Sequence, residues 1–146
     1  MNLHATVADV AVTSPEVHEP HTTVGELEQF FADDHVHLAL IVDGHRLVAA
    51  VERCDLDAVA DPDLQARFLG RRRGRVIASD APAVEALGAM RASGRRRLAV
   101  IDGNGLLVGL LCLKARGNGF CSDADVASRK RSRGVAAARS LVQTSA

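Results

Sequence analysis

The sequence repeats itself with a shift of about 60 residues, and this duplication limits the possible folds more than any other feature. Residues 17–56 and 77–116 carry the same order of polar segments, apolar runs and turns. Val24 corresponds to Val84, and Leu27 corresponds to Leu87. Such a period indicates two copies of one supersecondary unit. Because one copy of this size buries too little surface for secure stability alone, we expect two half-domains that share a core.

Each copy predicts the element order β-α-β-β-α. A short extended piece and a proline turn precede a helix. A hairpin follows, and its two strands meet at a glycine-containing turn. A final helix ends the copy. Thr22 or Thr23 is the expected cap of the first helix, with Glu26 in its first turn, and Asp80 is the expected cap of the second. The expected apolar stripes are Val24, Leu27, Phe30 and Phe31 in one copy and Val84, Leu87, Met90 and Arg91 in the other. The final helices are expected to begin near Arg53 and near Ser122.

The predicted fold class is α+β, with two β-α-β-β-α repeats packed about a pseudo-twofold axis. The expected divisions are repeat 1 at residues 6–64, a basic linker at 65–75, repeat 2 at 76–133 and an alanine-rich tail at 134–146. The run Arg71-Arg72-Arg73-Gly74-Arg75 is typical of an exposed linker.

The formal net charge is zero, but the charges are divided between the halves. Residues 1–70 hold three arginines against thirteen carboxylates, a net charge of −10, whereas residues 71–146 hold fifteen Lys and Arg against five carboxylates, a net charge of +10. Three interpretations remain open: a folded dipole whose halves attract each other, an anion site on the basic half, or two copies packed acidic half to basic half.

Composition excludes several classes of function. No apolar run approaches the ~20 residues that span a bilayer, and no basic residue precedes an apolar core at the N-terminus, so we expect a cytoplasmic protein that is not bound to a membrane. Four Phe without Trp or Tyr disfavour base stacking. Three irregularly spaced cysteines predict neither disulfides nor a metal cluster. Pro20 disrupts the helical spacing of His18 and His21, so no metal site is predicted.

The order of helix, strand ending in Asp, glycine turn and Leu-Val-Gly resembles the cystathionine-β-synthase (CBS) domain. Residues 98–111, LAVIDGNGLLVGLL, carry the pattern best. Residues 40–43 and 47–49 match it in the first copy, where Ala49 stands in place of the usual glycine. The resemblance extends from about Thr6 to Arg133.

The resemblance implies a tandem CBS protein, or Bateman module, that binds an adenosine-containing ligand of the AMP, ADP, ATP or S-adenosylmethionine type in the cleft between its repeats. It also implies a regulatory role without catalysis, and a homodimer. The site pattern of the family is Gly-apolar-apolar-Ser/Thr-x-x-Asp. Its Asp accepts hydrogen bonds from the ribose hydroxyls, and its Ser or Thr faces phosphate at a helix N-terminus.

In the first copy Asp55 matches the ribose position, but Glu52 replaces Ser or Thr. That negative charge argues against a phosphorylated ligand here, or for a nucleoside or a different metabolite. The alternative role for Asp55 is a solvated carboxylate in the first turn of a helix.

In the second copy, looping out residues 113–118 restores the full pattern and makes Ser122 and Asp125 the leading ligand candidates. The same spacing is also that of a helix capping box, and the two roles can coexist. By the resemblance, the backbone of Ile77 and Ala78 contacts the base, Arg95 and Arg97 supply charge to the phosphate, and His18 lies on a strand that lines the pocket.

No catalytic group and no required cofactor is predicted, and the regulated partner protein is not identified by the sequence. The rival hypothesis is a scaffold without ligand, or a nucleic-acid-associated protein that uses its basic C-terminal half. Its basic clusters are residues 71–75, 95–97 and 129–133.

Overall fold

A computed structural model describes residues 3–125 and residue 128. Each repeat carries one main helix and one antiparallel hairpin. In the first half of the chain the elements are α1 (Val7–Val10), α2 (Val24–Phe30), β1 (Leu38–Asp43), β2 (Arg46–Glu52) and a 3-10 turn (Arg53–Leu56). In the second half they are a 3-10 turn (Ala66–Phe68), β3 (Val76–Ala78), α3 (Ala83–Ser93), β4 (Arg97–Ile101) and β5 (Leu107–Cys112).

The two hairpins have the same pairing, which confirms the duplicated α+β fold. Strand β1 pairs antiparallel with β2, and β4 pairs antiparallel with β5. Each pair carries an irregularity in register near its turn, after Ile41 in one repeat and after Val100 in the other. Strand β3 adds to β4 in parallel. Its counterpart in repeat 1 is reduced to a single parallel bridge between His18 and Ile41.

A pseudo-twofold axis passes close to the bridge between Arg46 and Leu106, which are matching positions of the two repeats. The Leu47 amide donates to the Gly105 carbonyl at 3.3 Å, and the Leu107 amide donates to the His45 carbonyl at 2.8 Å. These reciprocal bonds place the two hairpins edge to edge. The shared core between them contains buried residues from both repeats: Leu38, Leu40, Leu47, Ala50 and Ala99.

The segment that leads into each repeat packs against the other repeat. We call residues 6–12 the first arm and residues 65–71 the second arm. The first arm forms bridges to Pro82 and Leu110, and the second forms the matching bridges to Thr23 and Ala50. Backbone hydrogen bonds hold both arms, at 2.8 Å from the Val12 amide to the Leu110 carbonyl and at 3.0 Å from the Arg71 amide to the Ala50 carbonyl. The two halves are therefore interlocked.

The start of α2 follows the prediction. The Thr23 hydroxyl accepts from the Glu26 amide at 3.3 Å, which caps the helix. Val24, Leu27 and Phe31 of the expected stripe are buried, and Phe30 packs against the same core.

Several local predictions are wrong. In α3 the expected Met90 is buried and Leu87 packs against the same core, but Val84 is 41% exposed and Arg91 is exposed, and Ala83 and Ala86 are buried instead. Pro82, rather than Asp80, occupies the N-cap position of this helix. The final helix of repeat 1 is only the 3-10 turn Arg53–Leu56. A proline at position 62 disfavours helical backbone at the residue before it, which is one reason why no longer helix follows.

The predicted insertion in repeat 2 is a small hairpin. The Cys121 amide donates to the Cys112 carbonyl at 2.7 Å, and the Lys114 amide donates to the Gly119 carbonyl at 2.9 Å. The chain turns back at this hairpin and becomes helical again at residues 123–125. The basic residues 129–133 and the tail 134–146 lie outside the described residues.

Candidate functional site

Arg75 lies at the centre of a buried ionic cluster in repeat 1. The residue has no exposed surface. Its guanidinium binds both carboxylate oxygens of Asp55, with Nη1 at 2.6 Å from Oδ2 and Nη2 at 3.0 Å from Oδ1. Nη1 also donates to the Ala50 carbonyl at 2.8 Å, and Nε forms an ion pair with Glu52 at 2.8 Å. The prediction of an exposed linker at 71–75 is therefore wrong for Arg75.

This cluster fixes the charge of the carboxylate at the expected ribose position. Burial alone raises the pKa of Asp55, but the hydrogen bonds from Arg75 and the Glu52 amide, with the charges of Arg75 and Arg71, outweigh burial and hold that pKa below its usual value. For Arg75, burial opposes the charge, and the bond to Asp55 more than restores it, so its pKa is raised. Both groups are ionised at neutral pH.

Glu52 is shared between two arginines. It forms ion pairs with Arg75 and with Arg95, whose side chain is 36% exposed. In sequence Glu52 places an uncompensated negative charge beside a possible phosphate site, but in the structure its charge is balanced by these two guanidinium groups.

A cleft of about 350 Å³ opens beside this cluster, between the two repeats. Repeat 1 contributes His37, Leu38 and Glu52 to its lining, and repeat 2 contributes residues 93–97. The pKa of His37 is lowered to about 4, first by burial and then by the positive charges of Arg97, Arg96 and Arg53, with a smaller effect from His35. The imidazole is therefore neutral at pH 7, in a cleft lined by three arginines.

Backbone carbonyls hold two of these arginines in place. Arg96 donates its Nε–H to the Leu113 carbonyl at 3.3 Å. Arg97, which is buried, donates to the Arg96 carbonyl at 2.9 Å and to the His35 carbonyl at 3.4 Å. Both Arg95 and Arg97 line the cleft beside Glu52. Neither of them lines the cavity that contains Ser122.

In repeat 2 the pair Ser122 and Asp125 forms a capping box at the end of the small hairpin. The Ser122 amide and hydroxyl donate to Asp125 Oδ2 at 2.9 and 3.0 Å, and the Asp125 amide donates to Ser122 Oγ at 3.2 Å. The Glu52 amide makes the same bond to Asp55 at 2.8 Å in repeat 1. The two positions are thus structurally equivalent.

The surroundings of Ser122 differ from those of Glu52. Ser122 and Asp125 are both exposed. An open cavity of about 890 Å³ is lined by Ser122 together with the first arm and the small hairpin. Asp123 also lines this cavity, and it accepts hydrogen bonds from the amide and hydroxyl of Thr13 at 2.8 and 3.1 Å.

The remaining predicted site residues lie elsewhere. Ile77 and Ala78 pair with Val100 and Ile101 in the sheet and do not line the Ser122 cavity. His18 lines a separate depression near the turn of the first hairpin. Its ring packs edge-on against Phe30 at 4.4 Å between centroids, and burial lowers its pKa despite the nearby Glu16 and Glu26.

Sequence reasoning missed Arg75 and His37. A signal for Arg75 exists, since Glu52 and Asp55 form a pair of carboxylates at the end of an apolar strand, where an internal cation is needed if both are partly buried. His37 carries no such signal, because its setting depends on arginines about sixty residues away.

Comparison with known proteins identifies the fold. Residues 73–115 match the family model of the CBS domain. The chain has the fold of a CBS-domain pair. It is similar to the CBS-pair domain of a Shewanella oneidensis protein described as a Mg²⁺ transporter, with a TM-score of 0.66 and 24% identity over 75% of this chain and 66% of that one. No curated protein matches the chain.

Two other CBS structures were solved with AMP. One is a CBS domain protein of Pyrobaculum aerophilum, with 27% identity, a TM-score of 0.61 and coverage of 77% of this chain and 89% of that one. The other is named CBSX2, with 22% identity, a TM-score of 0.62 and coverage of 73% and 89%.

The described part of the chain lacks two further features. Among residues 3–125 and 128, no helix is long and apolar enough to cross a membrane. In the same residues, no three His, Cys, Asp or Glu side chains are grouped so as to hold a metal ion.

Proposed function

We propose that this CBS pair is a regulatory module that binds an adenosine-containing ligand on the side of repeat 2, with Ser122 and Asp125 as side-chain contacts. The observation that carries the proposal is the exposed Ser-x-x-Asp pair at the hairpin–helix junction, beside an open cavity. The AMP complex of the Pyrobaculum aerophilum relative supports this ligand class.

Repeat 2 is favoured over repeat 1 because of the state of the two carboxylates. Asp55 has both oxygens bound to Arg75, so ribose hydroxyls would have to displace a buried guanidinium. Asp125 is exposed, and its bonds to the amide and hydroxyl of Ser122 exchange with solvent or ligand at a smaller cost than the buried pair of Asp55 and Arg75. The structure places the other proposed contacts outside the Ser122 cavity: Ile77, Ala78, His18, Arg95 and Arg97.

Calorimetric titration with AMP, ATP and S-adenosylmethionine tests this function. We expect at least one to bind, and we expect Asp125→Asn and Ser122→Ala each to weaken it roughly tenfold or more, since each removes a polar contact to the ligand. A matched control is Thr23→Ala, which removes the same kind of helix cap at α2. Equal weakening by the control would mean that the effect is on stability rather than on contact.

We further propose that the protein is a cytoplasmic homodimer, in which the acidic half of one copy faces the basic half of the other. The rival function is a scaffold or nucleic-acid partner, for which the exposed Arg71, Arg72 and Arg73 supply positive surface. Absence of binding to all three adenosine compounds, together with salt-sensitive retention of DNA, would support the rival.

A further inference from the structure

Two cysteines lie opposite each other at the base of the small hairpin that precedes Ser122. Their spacing in the sequence predicts no disulfide, but the Cys121 amide donates to the Cys112 carbonyl at 2.7 Å. Both residues are buried in one cluster, and both carry thiols in the structure. We propose that Cys112 and Cys121 are a redox modification site, at which a peroxide converts the two thiols into a disulfide that closes the hairpin.

The register of the hairpin places the two cysteine side chains on the same face. Leu113 and Phe120 form an antiparallel bridge, so the next opposed pair is Cys112 and Cys121. Side chains alternate between the two faces along a strand. In agreement with this, Leu113 belongs to the core of repeat 2 and Phe120 packs against that core. The two cysteines belong to a different cluster, which they share with Val12.

The separation of the two strands suits a disulfide. In an antiparallel pair, opposed residues in a hydrogen-bonded position have Cα atoms about 5.5 Å apart. Disulfides join Cα atoms that are about 4.4 to 6.8 Å apart. The pair can therefore be bridged without a large movement of the backbone. Cys54 lies in the 3-10 turn of repeat 1, is exposed and does not belong to this cluster.

An oxidant reaches the pair through the cavity beside the first arm. Cys121 lines this open cavity of about 890 Å³. Cys112 is not among the lining residues and is only 1% exposed. Because Cys121 itself is only 6% exposed, a small peroxide fits this approach better than a bulky disulfide reagent. Cys121 is therefore the thiol that reacts first, and Cys112 is the resolving thiol.

The reaction balances in two steps. The Cys121 thiolate attacks one oxygen of hydrogen peroxide, and the O–O bond breaks. The hydroxide that leaves takes up the thiol proton as water, and Cys121 becomes a sulfenic acid. The Cys112 thiolate then attacks this sulfur, the S–S bond forms, and the hydroxyl group leaves with the second proton as water. Two thiols lose two electrons in total and the peroxide gains them, while a thiol reductant reverses the change.

Peptide mapping of the full chain tests the disulfide. The protein is treated with an equimolar amount of hydrogen peroxide, the remaining thiols are blocked with iodoacetamide, and trypsin digestion follows without reductant. Each cysteine falls in its own tryptic peptide: Cys54 in 54–67, Cys112 in 98–114 and Cys121 in 117–129. We expect peptide 98–114 joined to peptide 117–129 as the main product, and its loss after treatment with dithiothreitol. Absence of this product, or linkage mainly to peptide 54–67, would overturn the proposal.

Serine variants test the order of the two steps. Cys112→Ser removes the resolving thiol, so Cys121 is expected to stop at the sulfenic acid, which dimedone traps. Cys121→Ser removes the thiol at the cavity and is expected to leave Cys112 unoxidised. The matched control is Cys54→Ser, which is expected to leave the cross-linked product unchanged. Loss of the product in this control would overturn the proposal, and the wild-type peptide map does not depend on any variant.

Hydrogen exchange shows whether the bond acts on the hairpin. The Lys114 amide donates to the Gly119 carbonyl at 2.9 Å, inside the loop that the disulfide closes. Its exchange is expected to slow by roughly tenfold on oxidation, because the closed loop opens less often. The Val42 amide, which donates to the His18 carbonyl at 2.9 Å in repeat 1, is the control and should change by less than about twofold. Equal slowing of both amides would contradict a local closure of the hairpin.

The redox site does not depend on the adenosine site. AMP titration of the oxidised and reduced proteins separates the two proposals. If the cross-linked product forms and AMP binds neither form, the proposed function fails and the redox site stands. If AMP binds and no cross-linked product forms, the redox site fails and the proposed function stands.

Discussion

The side chain of Arg75 neutralises the carboxylates beside the cleft, and this role could not be predicted from its position in the sequence. A run of arginines and glycine predicts a solvated linker, yet the last arginine of the run is fully buried. Its partners Asp55 and Glu52 lie 20 and 23 residues before it in the sequence. The burial therefore depends on the second arm folding back over repeat 1, which local composition does not encode.

Replacing Arg75 is expected to be strongly destabilising. Arg75→Met preserves most of the apolar stem but leaves Asp55 and Glu52 without their buried partner, at a cost of about 3 kcal/mol. Asp55→Ala leaves Arg75 buried without that partner. The loss of unfolding free energy in the double variant, Arg75→Met with Asp55→Ala, should therefore be smaller than the sum of the two single losses. Urea unfolding of all three measures the coupling; additive losses would contradict the pairing.

The lowered pKa of His37 makes the stability of the fold depend on pH. The unfolded chain binds a proton here near pH 6.5, while the folded protein binds it only near pH 4. The folded state therefore loses stability as the pH falls through this window. Asp55 affects stability at lower pH than His37 does. Because its pKa in the folded state lies below the ordinary 3.8, its stabilising charge is lost only as the pH falls below that value. The His37→Gln variant should therefore lose less stability than the wild type between pH 7 and pH 4. Thermal melting at several pH values measures this difference. An equal fall in melting temperature for both proteins would contradict the role of His37.

At the scale of elements, the arms pack so closely that a methyl group matters. A Cβ atom on Gly109 would lie 2.4 Å from the Val12 carbonyl oxygen, and one on Gly70 would lie 2.9 Å from the Ala50 carbonyl oxygen. These two positions are equivalent contacts between arm and strand. In one repeat the strand supplies the glycine, and in the other the arm supplies it, which explains how Ala49 fits where the family pattern has glycine.

Gly109→Ala should therefore destabilise the protein by about 2 kcal/mol, because a strand or arm backbone must move. Gly88→Ala is the matched control. It lies inside α3 with open space around the new methyl group, and is expected to stabilise by roughly 0.5–1 kcal/mol. Chemical denaturation of both variants measures the difference; equal effects would show that the arm contact is loose.

The element order could be predicted because it rests on local patterns: apolar runs, glycine turns and the Thr23 cap. The small hairpin before Ser122 could be predicted because the repeat itself exposes an insertion. The face of α3 follows the prediction at Leu87 and Met90 but not at Val84, since the small side chain of Ala86 packs beside the first arm instead. A cleft between the repeats is expected from the resemblance, but the position of His37 in it could not be predicted, because the lining comes from distant parts of the chain.

At the scale of the whole molecule, the exchanged arms tie the stability of each repeat to the other. Val7 of the first arm belongs to the core of repeat 2, and Ala66 of the second arm belongs to the core of repeat 1. Neither repeat can unfold without removing part of the core of its neighbour. The pair should therefore unfold in a single transition.

Amide NMR during urea unfolding tests this cooperativity. Gly109→Ala lies in repeat 2, but it is expected to lower the midpoint equally for Ala39 and Val51 in repeat 1 and for Val100 and Leu111 in repeat 2. Two separated midpoints, with repeat 1 unaffected, would show that the halves are independent.

The exchanged arms also determine what a separated repeat would lack. A substitution in either arm affects the core of the opposite half of the chain. The contact between Gly109 and Ala11, like the matching contact between Gly70 and Ala49, combines one glycine with one alanine, because the close backbone leaves room for a single methyl group. A repeat separated from the other would therefore need a second molecule to supply the missing arm.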